Sequence, residues 1–170
     1  MGVPESDVLP RIVVMGVTGC GKTTVGKALA ERLGIPFADG DAFHSEANVK
    51  KMAEGVPLDD ADREPWLRSV GKWLEEHPAG GVMGCSALKR RYRDLLREGA
   101  PEAWFVHLHG SPEEIHRRVS RRKGHFMPES LVESQFATLE PLEPDERGVV
   151  VDLELSVEEQ VKAAVRAIQS

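Results

Sequence analysis

The chain has 170 residues, 41% hydrophobic and 29% charged, which is the composition of an ordinary soluble domain. Its net charge of −6 argues against a nucleic-acid partner, and no apolar stretch approaches the about 20 residues of a membrane span. Two cysteines suit neither a disulfide framework nor a metal site, which predicts a cytoplasmic protein with reduced thiols. Residues 1–10 lack a signal-peptide pattern and are expected to form a loose tail.

Predicted strands and helices alternate along the chain, which indicates a single α/β domain with a mainly parallel sheet. The strands are expected at 11–16, 36–38, 81–85, 103–108 and 149–151. The helices are expected at 22–33, 45–53, 63–76, 89–98 and 128–139, with one more after Ser111 and a last one after Ser156. Gly34 is placed to end the first helix, and capping boxes are expected at Ser111–Glu114 and Ser156–Glu159. The third strand is expected beside the first, and the fifth at the sheet edge.

Residues 16–24, GVTGCGKTT, match the phosphate-binding P-loop pattern G-x-x-x-x-G-K-[ST]. The apolar run 12–15 leads into the motif and a helical pattern leads out, which is the strand–loop–helix context that the motif requires. Its glycines let backbone N–H groups surround an anion at a helix N-terminus. Lys22 is expected to reach the β- and γ-phosphates, and the Thr23 hydroxyl to bind Mg²⁺. The alternative is a glycine-rich turn that binds nothing.

Two carboxylates follow the second predicted strand, at the sheet edge that the P-loop also occupies. If that strand stays extended, Asp39 and Asp41 share a face and both point toward the γ-phosphate. Phosphoryl transfer needs a positioned Mg²⁺ and an oriented acceptor hydroxyl, two tasks that the pair could divide. The third strand ends in Cys85-Ser86 where a Walker-B strand would end in Asp. Asp152 follows the apolar fifth strand in the way that a Walker-B Asp would, but that strand is expected at the edge of the sheet, far from Mg²⁺.

Five basic residues stand among the seven positions of 117–123, just before Gly124. Like charges at helical spacing repel one another, so a bound anion that neutralised these side chains would remove an unfavourable electrostatic interaction. We therefore expect a mobile lid over about 118–128 whose arginines approach the transferring phosphoryl group. The alternative is a solvated surface helix, and the same alternative applies to the basic run 89–93.

Several short motifs carry a resemblance that covers roughly residues 11–152. The P-loop is followed by DGD with His44 and Asn48, by Lys51-Met52, Gly55, Pro57-Leu58, Asp60, Asp62-Arg63 and PWL at 65–67, by CSALK at 85–89 and YRDLLR at 92–97, and by RKGHF at 122–126 and Gln135-Phe136. In this order the chain resembles the small P-loop gluconate kinases, relatives of the shikimate and nucleoside-monophosphate kinases. The CSALK and KGHF blocks are more specific than the P-loop.

The resemblance implies a P-loop NTPase-type five-stranded parallel sheet flanked by helices, with a helical substrate-binding region at about 42–77 and the mobile lid. It also implies ATP, Mg²⁺, transfer to the 6-hydroxyl of D-gluconate, and a homodimer. A kinase for shikimate or a nucleotide is an alternative that the CSALK and KGHF blocks disfavour. A nucleotide-dependent switch is another, although the guanine motif N-K-x-D is missing.

Each candidate residue receives a role on these grounds. The triphosphate is assigned to Gly16, Gly19, Cys20, Gly21, Lys22, Thr23 and Thr24; Cys20 departs from the Ser that is commoner in relatives, at a position that contributes mainly backbone. Asp41 is expected to accept or orient the proton of the acceptor hydroxyl, and Asp39 to hold Mg²⁺ through water. By resemblance, Arg118 would lie near the adenine and Arg122 would meet phosphates. The candidates for binding gluconate are His44, Arg63, Lys89, Arg93 and Gln135.

Overall fold

Five parallel strands form the centre of the computed structural model, which describes residues 10–121 and 129–169. The strands are β1 (Arg11–Met15), β2 (Phe37–Asp39), β3 (Gly81–Gly84), β4 (Trp104–His109) and β5 (Gly148–Asp152). The helices in these ranges are α1 (Lys22–Leu33), α2 (Glu46–Ala53), α3 (Asp60–Glu75), α4 (Arg90–Gly99), α5 (Pro112–Arg121), α6 (Glu129–Thr138) and α7 (Val157–Gln169). Every predicted strand and helix is present, with ends that differ from the prediction by at most three residues.

The strands lie in the order β2-β3-β1-β4-β5, which confirms that β3 neighbours β1 and that β5 is an edge strand. Because side chains alternate along a strand, β1 serves both faces of the sheet. Ile12 and Val14 pack with apolar residues of α1 and α7. Val13 and Met15 pack with apolar residues of α3 and α4 on the other face. The strand that leads into the P-loop is therefore buried on both sides.

Local signals fix most helix ends. Gly34 ends α1 with a left-handed φ of 69°, and Ser156 and Glu159 form the expected reciprocal pair before α7. At Ser111 only half of the expected box forms: its hydroxyl accepts from the Glu114 N–H, while the Glu114 carboxylate pairs with arginines of α5. Helix α3 begins three residues earlier than predicted, because Asp59 and Asp62 form a capping box.

Two predicted segments lie largely outside the described residues. The tail 1–10 is described only at its last residue, and the lid 118–128 only as far as residue 121 at the end of α5. Arg122 and the predicted helix break at 124–126 belong to the part that is not described. Among the helices that are described, none combines the length and the apolar character that crossing a bilayer requires.

Candidate active site

The P-loop connects β1 to α1 through three glycines with positive φ. The values are +146° at Gly16, +80° at Gly19 and +97° at Gly21, a region that L side chains rarely adopt. A Cβ on Gly16 would lie 2.8 Å from the Leu108 carbonyl oxygen and 2.7 Å from the Cys20 Sγ. Gly21 caps α1 without a side-chain hydrogen bond, so the first N–H groups of the helix remain available to an anion.

Lys22 lies across this loop. Its Nζ donates hydrogen bonds to the carbonyl oxygens of Gly16, at 3.0 Å, and Val17, at 3.2 Å. The loop is also tied to the end of β3, because the Gly16 N–H donates to the Ser86 carbonyl at 3.2 Å. Lys22, the only cation of the P-loop, is thus held against the loop backbone, beside the turn that follows β3.

The chain does not stay extended through Asp39-Gly40-Asp41, so that assumption was wrong. β2 ends at Asp39, and residues 40–43 form one 3₁₀ turn that Asp39 caps by accepting the Asp41 N–H at 3.0 Å. The other carboxylate oxygen of Asp39 lies 3.4 Å from the Thr23 hydroxyl. Asp41 instead lines a cleft beside Lys22. The turn therefore separates the two carboxylates and gives them different neighbours.

The end of β3 carries a neutral side chain. Cys85 is fully buried, and this burial raises the pKa of its thiol to about 12. Because the side chain at the expected Walker-B position is uncharged, the neighbouring oxygen groups of Thr23 and Asp39 are a pair at this edge that could hold a hard cation. One hydroxyl and one carboxylate fit Mg²⁺, which commonly keeps several waters and takes its remaining ligands from substrate phosphates. No larger group of potential metal ligands occurs in the described ranges.

The cleft lies between the P-loop, the 3₁₀ turn and the helical region α2–α3. Its volume is about 670 Å³, counting the part open to solvent. Five of the predicted site residues line it: Lys22, Asp41, His44, Arg63 and Gln135. Gln135 is held by the P-loop, because its Oε1 accepts the Thr18 N–H at 2.6 Å.

His44 stands in this cleft against an aromatic wall. Its ring stacks on Trp66 with the centroids 4.0 Å apart, and the Trp66 indole N–H donates to the Gly40 carbonyl at 2.7 Å. Burial lowers the pKa of His44; the charge of Asp41 opposes that effect and Arg63 adds to it. The lowered pKa favours the neutral form of the imidazole at neutral pH.

Arg63, which lines the cleft, is oriented by a network that includes Tyr92 and Asp60. Its guanidinium donates to the Tyr92 hydroxyl at 3.0 Å, and that hydroxyl donates in turn to Asp60. Burial and the Asp60 carboxylate raise the pKa of Tyr92 to about 12, so the phenol stays protonated. Lys89 belongs to this network, with its Nζ 3.5 Å from Asp60, and is not among the described residues that line the cleft.

Arg93 does not face the cleft, which contradicts its predicted role in binding substrate. Its side chain is fully buried and its guanidinium forms two hydrogen bonds, at 2.7 and 2.9 Å, with the carboxylate of Glu146. The same guanidinium donates to the carbonyls of Ala87, at 3.0 Å, and Leu88, at 3.3 Å. Ala87 has a positive φ of 43°. Arg93 therefore supports the strained turn that carries Ser86 and Leu88 into the cleft.

A second cleft lies on the other side of the P-loop. Arg118 lines it together with Gly21 and residues at the start of α7. The Arg118 guanidinium donates to the Leu153 carbonyl at 2.6 Å and to Glu114 at 3.1 Å. Arg118 thus lies beside the P-loop, and its predicted place near the adenine stays a prediction.

Comparison with known proteins identifies the family. The family model for shikimate kinase matches residues 18–168. A gluconokinase of Gluconobacter oxydans (strain 621H) is 48% identical over 95% of this chain and 93% of that protein. A thermosensitive gluconokinase of Escherichia coli (strain K12) is 43% identical over 92% of this chain and 88% of that protein. The crystal structure of a gluconokinase from Sinorhizobium meliloti 1021 is 48% identical, with a TM-score of 0.88 over 95% of this chain and 92% of that one.

The chain belongs to the gluconokinase family. This membership confirms the resemblance, the fold class and the assignment as a kinase. Within a gluconokinase-family fold, sequence reasoning missed the roles of Trp66, Asn48 and Tyr92, which shape the cleft through their contacts. A polar residue in a helix that is only 5% exposed needs hydrogen-bonding partners. The sequence alone does not show that Asn48 is buried, because one of its partners is the Asp62 carbonyl at the start of α3.

Proposed function

We propose that this protein transfers the γ-phosphoryl group of ATP to the 6-hydroxyl of D-gluconate, giving 6-phospho-D-gluconate and ADP. The observation that carries the proposal is a single cleft lined by a P-loop lysine, the Asp41 carboxylate, Arg63 and His44. Such a lining suits an acceptor that carries both hydroxyl groups and a carboxylate. The names of the relatives point to the same acceptor.

Lys22 and Asp41 carry the chemical step in this proposal. The 6-hydroxyl oxygen attacks the γ-phosphorus, its O–H proton moves to the Asp41 carboxylate, and the bond between the γ-phosphorus and the β–γ bridging oxygen breaks. Negative charge grows on the departing ADP as that bond breaks. The Lys22 ammonium and the N-terminus of α1 stabilise this charge.

Mg²⁺ would be held by Thr23 directly and by Asp39 through water. When bound, the ion neutralises phosphate charge and orients the triphosphate. The 3.4 Å separation of the Thr23 hydroxyl and the Asp39 carboxylate supports this assignment. Asp39 also caps the turn that carries Asp41, which couples the position of the proposed base to the residue at the proposed metal site.

Arg63 is the residue that we assign to the gluconate carboxylate, because a guanidinium presents two parallel donors to a carboxylate. His44 and Gln135 would meet the hydroxyls. Lys89 would act on the acceptor only through Asp60 and Tyr92, which hold Arg63. Arg118 would lie against the adenine, while Arg122 and the lid over 118–128 stay predictions. The family resemblance also leads us to propose a homodimer in the cytoplasm.

A coupled assay that detects 6-phospho-D-gluconate from ATP and D-gluconate tests the proposal. The acceptor panel includes shikimate, related sugar acids and nucleoside monophosphates, each at saturating ATP and Mg²⁺. We expect D-gluconate to have the highest kcat/KM. Another acceptor preferred by about tenfold, or roughly 1.4 kcal/mol, would show that the acceptor assignment is wrong while leaving the kinase assignment intact.

A further inference from the structure

His44 Nδ1 lies 3.2 Å from the side-chain nitrogen Nδ2 of Asn48. The same Nδ2 lies 2.9 Å from the backbone carbonyl of Asp62, at the start of α3. A carbonyl oxygen can only accept, so the amide group that faces it must be the NH₂ and not the oxygen of Asn48. That NH₂ has two hydrogens, and the second one is available to His44.

Asn48 is itself held in place. Its backbone N–H donates to the Ser45 hydroxyl at 3.2 Å, and only 5% of the residue is exposed. The stack on Trp66 holds the plane of the His44 ring. Nδ1 therefore receives a hydrogen bond from a donor that cannot turn round without losing its contact with Asp62.

A neutral imidazole carries one proton, and a nitrogen that accepts a hydrogen bond cannot be the one that bears it. We propose that Asn48 fixes His44 as the Nε2–H tautomer, so that His44 donates a hydrogen bond to an oxygen of the acceptor substrate and does not act as its base. Asn48 is then a positioning residue for substrate recognition. The donor role rests on the proposed function, whereas the tautomer does not.

This assignment also gives different roles to His44 and Asp41, which line the same cleft. With its only proton on Nε2, His44 offers no free lone pair to the hydroxyl that is phosphorylated. Proton acceptance then falls to the Asp41 carboxylate. Trp66 covers one face of the ring and the Asn48 amide meets Nδ1, so Nε2 is the ring nitrogen that is left for the substrate.

The first test measures the tautomer in the full-length protein without any ligand. Two-bond ¹H–¹⁵N correlation spectra of protein labelled with ¹⁵N-histidine report which ring nitrogen carries the proton, and His44→Gln identifies the His44 signals. We expect a protonated Nε2 and an unprotonated Nδ1 at neutral pH. A protonated Nδ1, or an imidazolium at neutral pH, overturns the proposal from the wild-type spectrum alone, whatever the fate of any variant.

Asn48→Leu removes the donor at similar volume and is expected to let both tautomers exchange, which averages the two nitrogen signals. The matched control is Val49→Ala, an exposed neighbour on the same helix, for which the His44 signals stay as in the wild type. A well-folded Asn48→Leu protein with unchanged His44 signals would show that Asn48 does not set the tautomer.

The second test separates donor from acceptor through kinetics. A Gln at position 44 still offers an N–H donor, whereas Glu offers only acceptors and Leu offers neither. We expect KM for gluconate to rise about threefold in His44→Gln and about tenfold or more in His44→Glu and His44→Leu, the size of one lost hydrogen bond. KM for ATP stays unchanged. If His44→Glu retains more activity than His44→Gln, the donor role is wrong; if the wild type does not phosphorylate gluconate, the proposed function fails and the spectra still decide the tautomer.

Discussion

Asp39 and Asp41 are two residues apart, yet the 3₁₀ turn gives them different partners. Asp39 faces Thr23, and Asp41 faces the acceptor cleft. Asp41→Asn keeps the shape and removes the proton-accepting charge, so we expect kcat to fall by about 10²–10⁴-fold with little change in ATP binding. Asp39→Asn is expected instead to raise the Mg²⁺ concentration needed for half-maximal rate. Mg²⁺ titrations of both variants check this, and exchanged phenotypes would reverse the two roles.

Lys22 is held at the mouth of the P-loop by two carbonyls rather than by the core. We expect Lys22→Ala to fold normally and to lose about 10²-fold or more in kcat, because its charge stabilises the departing phosphate oxygens. The control is Lys27→Ala, which removes an exposed lysine from the same helix. Lys22→Ala protein that keeps more than half of the wild-type rate would exclude Lys22 from the mechanism.

At the scale of single residues, the sequence predicts side chains whose positions follow from local geometry. Lys22 and Thr23 are placed by a loop whose conformation its own glycines determine. Arg93 could not be placed in this way, because arginines occur on several sides of α4. Its inward orientation depends on Glu146, which lies 53 positions further along the chain. A residue-type pattern identifies a candidate cation but does not show which partner neutralises it.

At the scale of elements, the Arg93–Glu146 pair joins α4 to the segment that precedes β5. Glu146 also accepts from Arg97, and both of its oxygens are buried. Burial alone would raise the pKa of Glu146, but the hydrogen bonds from Arg93 and Arg97 outweigh it and lower the pKa to about 2. The carboxylate is thus charged in the folded protein throughout the physiological pH range.

Arg93→Met leaves that buried carboxylate with one arginine fewer, and we expect the free energy of unfolding to fall by about 3–5 kcal/mol. Arg93→Met combined with Glu146→Leu removes both charges and is expected to recover much of the loss. Urea denaturation of the wild type, both single variants and the double variant measures the coupling. Additive losses would show that the two side chains do not act as a pair.

At the scale of the whole molecule, the strand order brings distant parts of the sequence to one edge of the sheet. β1 lies at the centre and ends in the P-loop, and its neighbour β3 ends at Ser86, whose carbonyl accepts from Gly16. β2, on the far side of β3, ends at Asp39. Because all five strands are parallel, their carboxyl ends share this edge, so the alternating strand–helix pattern was enough to predict where the site forms.

The stability of the whole domain is expected to depend on His107, which is 3% exposed in the middle of β4. Its Nδ1 has no hydrogen-bonding partner in the part of the chain that the structure describes. Burial, together with the neighbouring His109 and Arg93, lowers the pKa of His107 from 6.5 to about 4. The His107 imidazole binds a proton more readily in the unfolded chain than in the folded one. The contribution of the buried, neutral His107 to the free energy of unfolding is therefore complete above pH 6.5, and it is lost as the pH falls toward 4.

We therefore expect His107→Leu to flatten the decline in unfolding free energy between pH 6.5 and 4, a decline to which His107 contributes up to roughly 3 kcal/mol. A second variant, His109→Leu, removes the exposed neighbour whose charge adds to the lowering of the His107 pKa, and it is expected to flatten the decline less than His107→Leu because burial is the larger cause. Urea denaturation at several pH values gives the slope for each protein. The carboxylates titrate in all three proteins, so the difference between the wild-type and His107→Leu slopes isolates the histidine, and parallel slopes would show that His107 is not the group responsible.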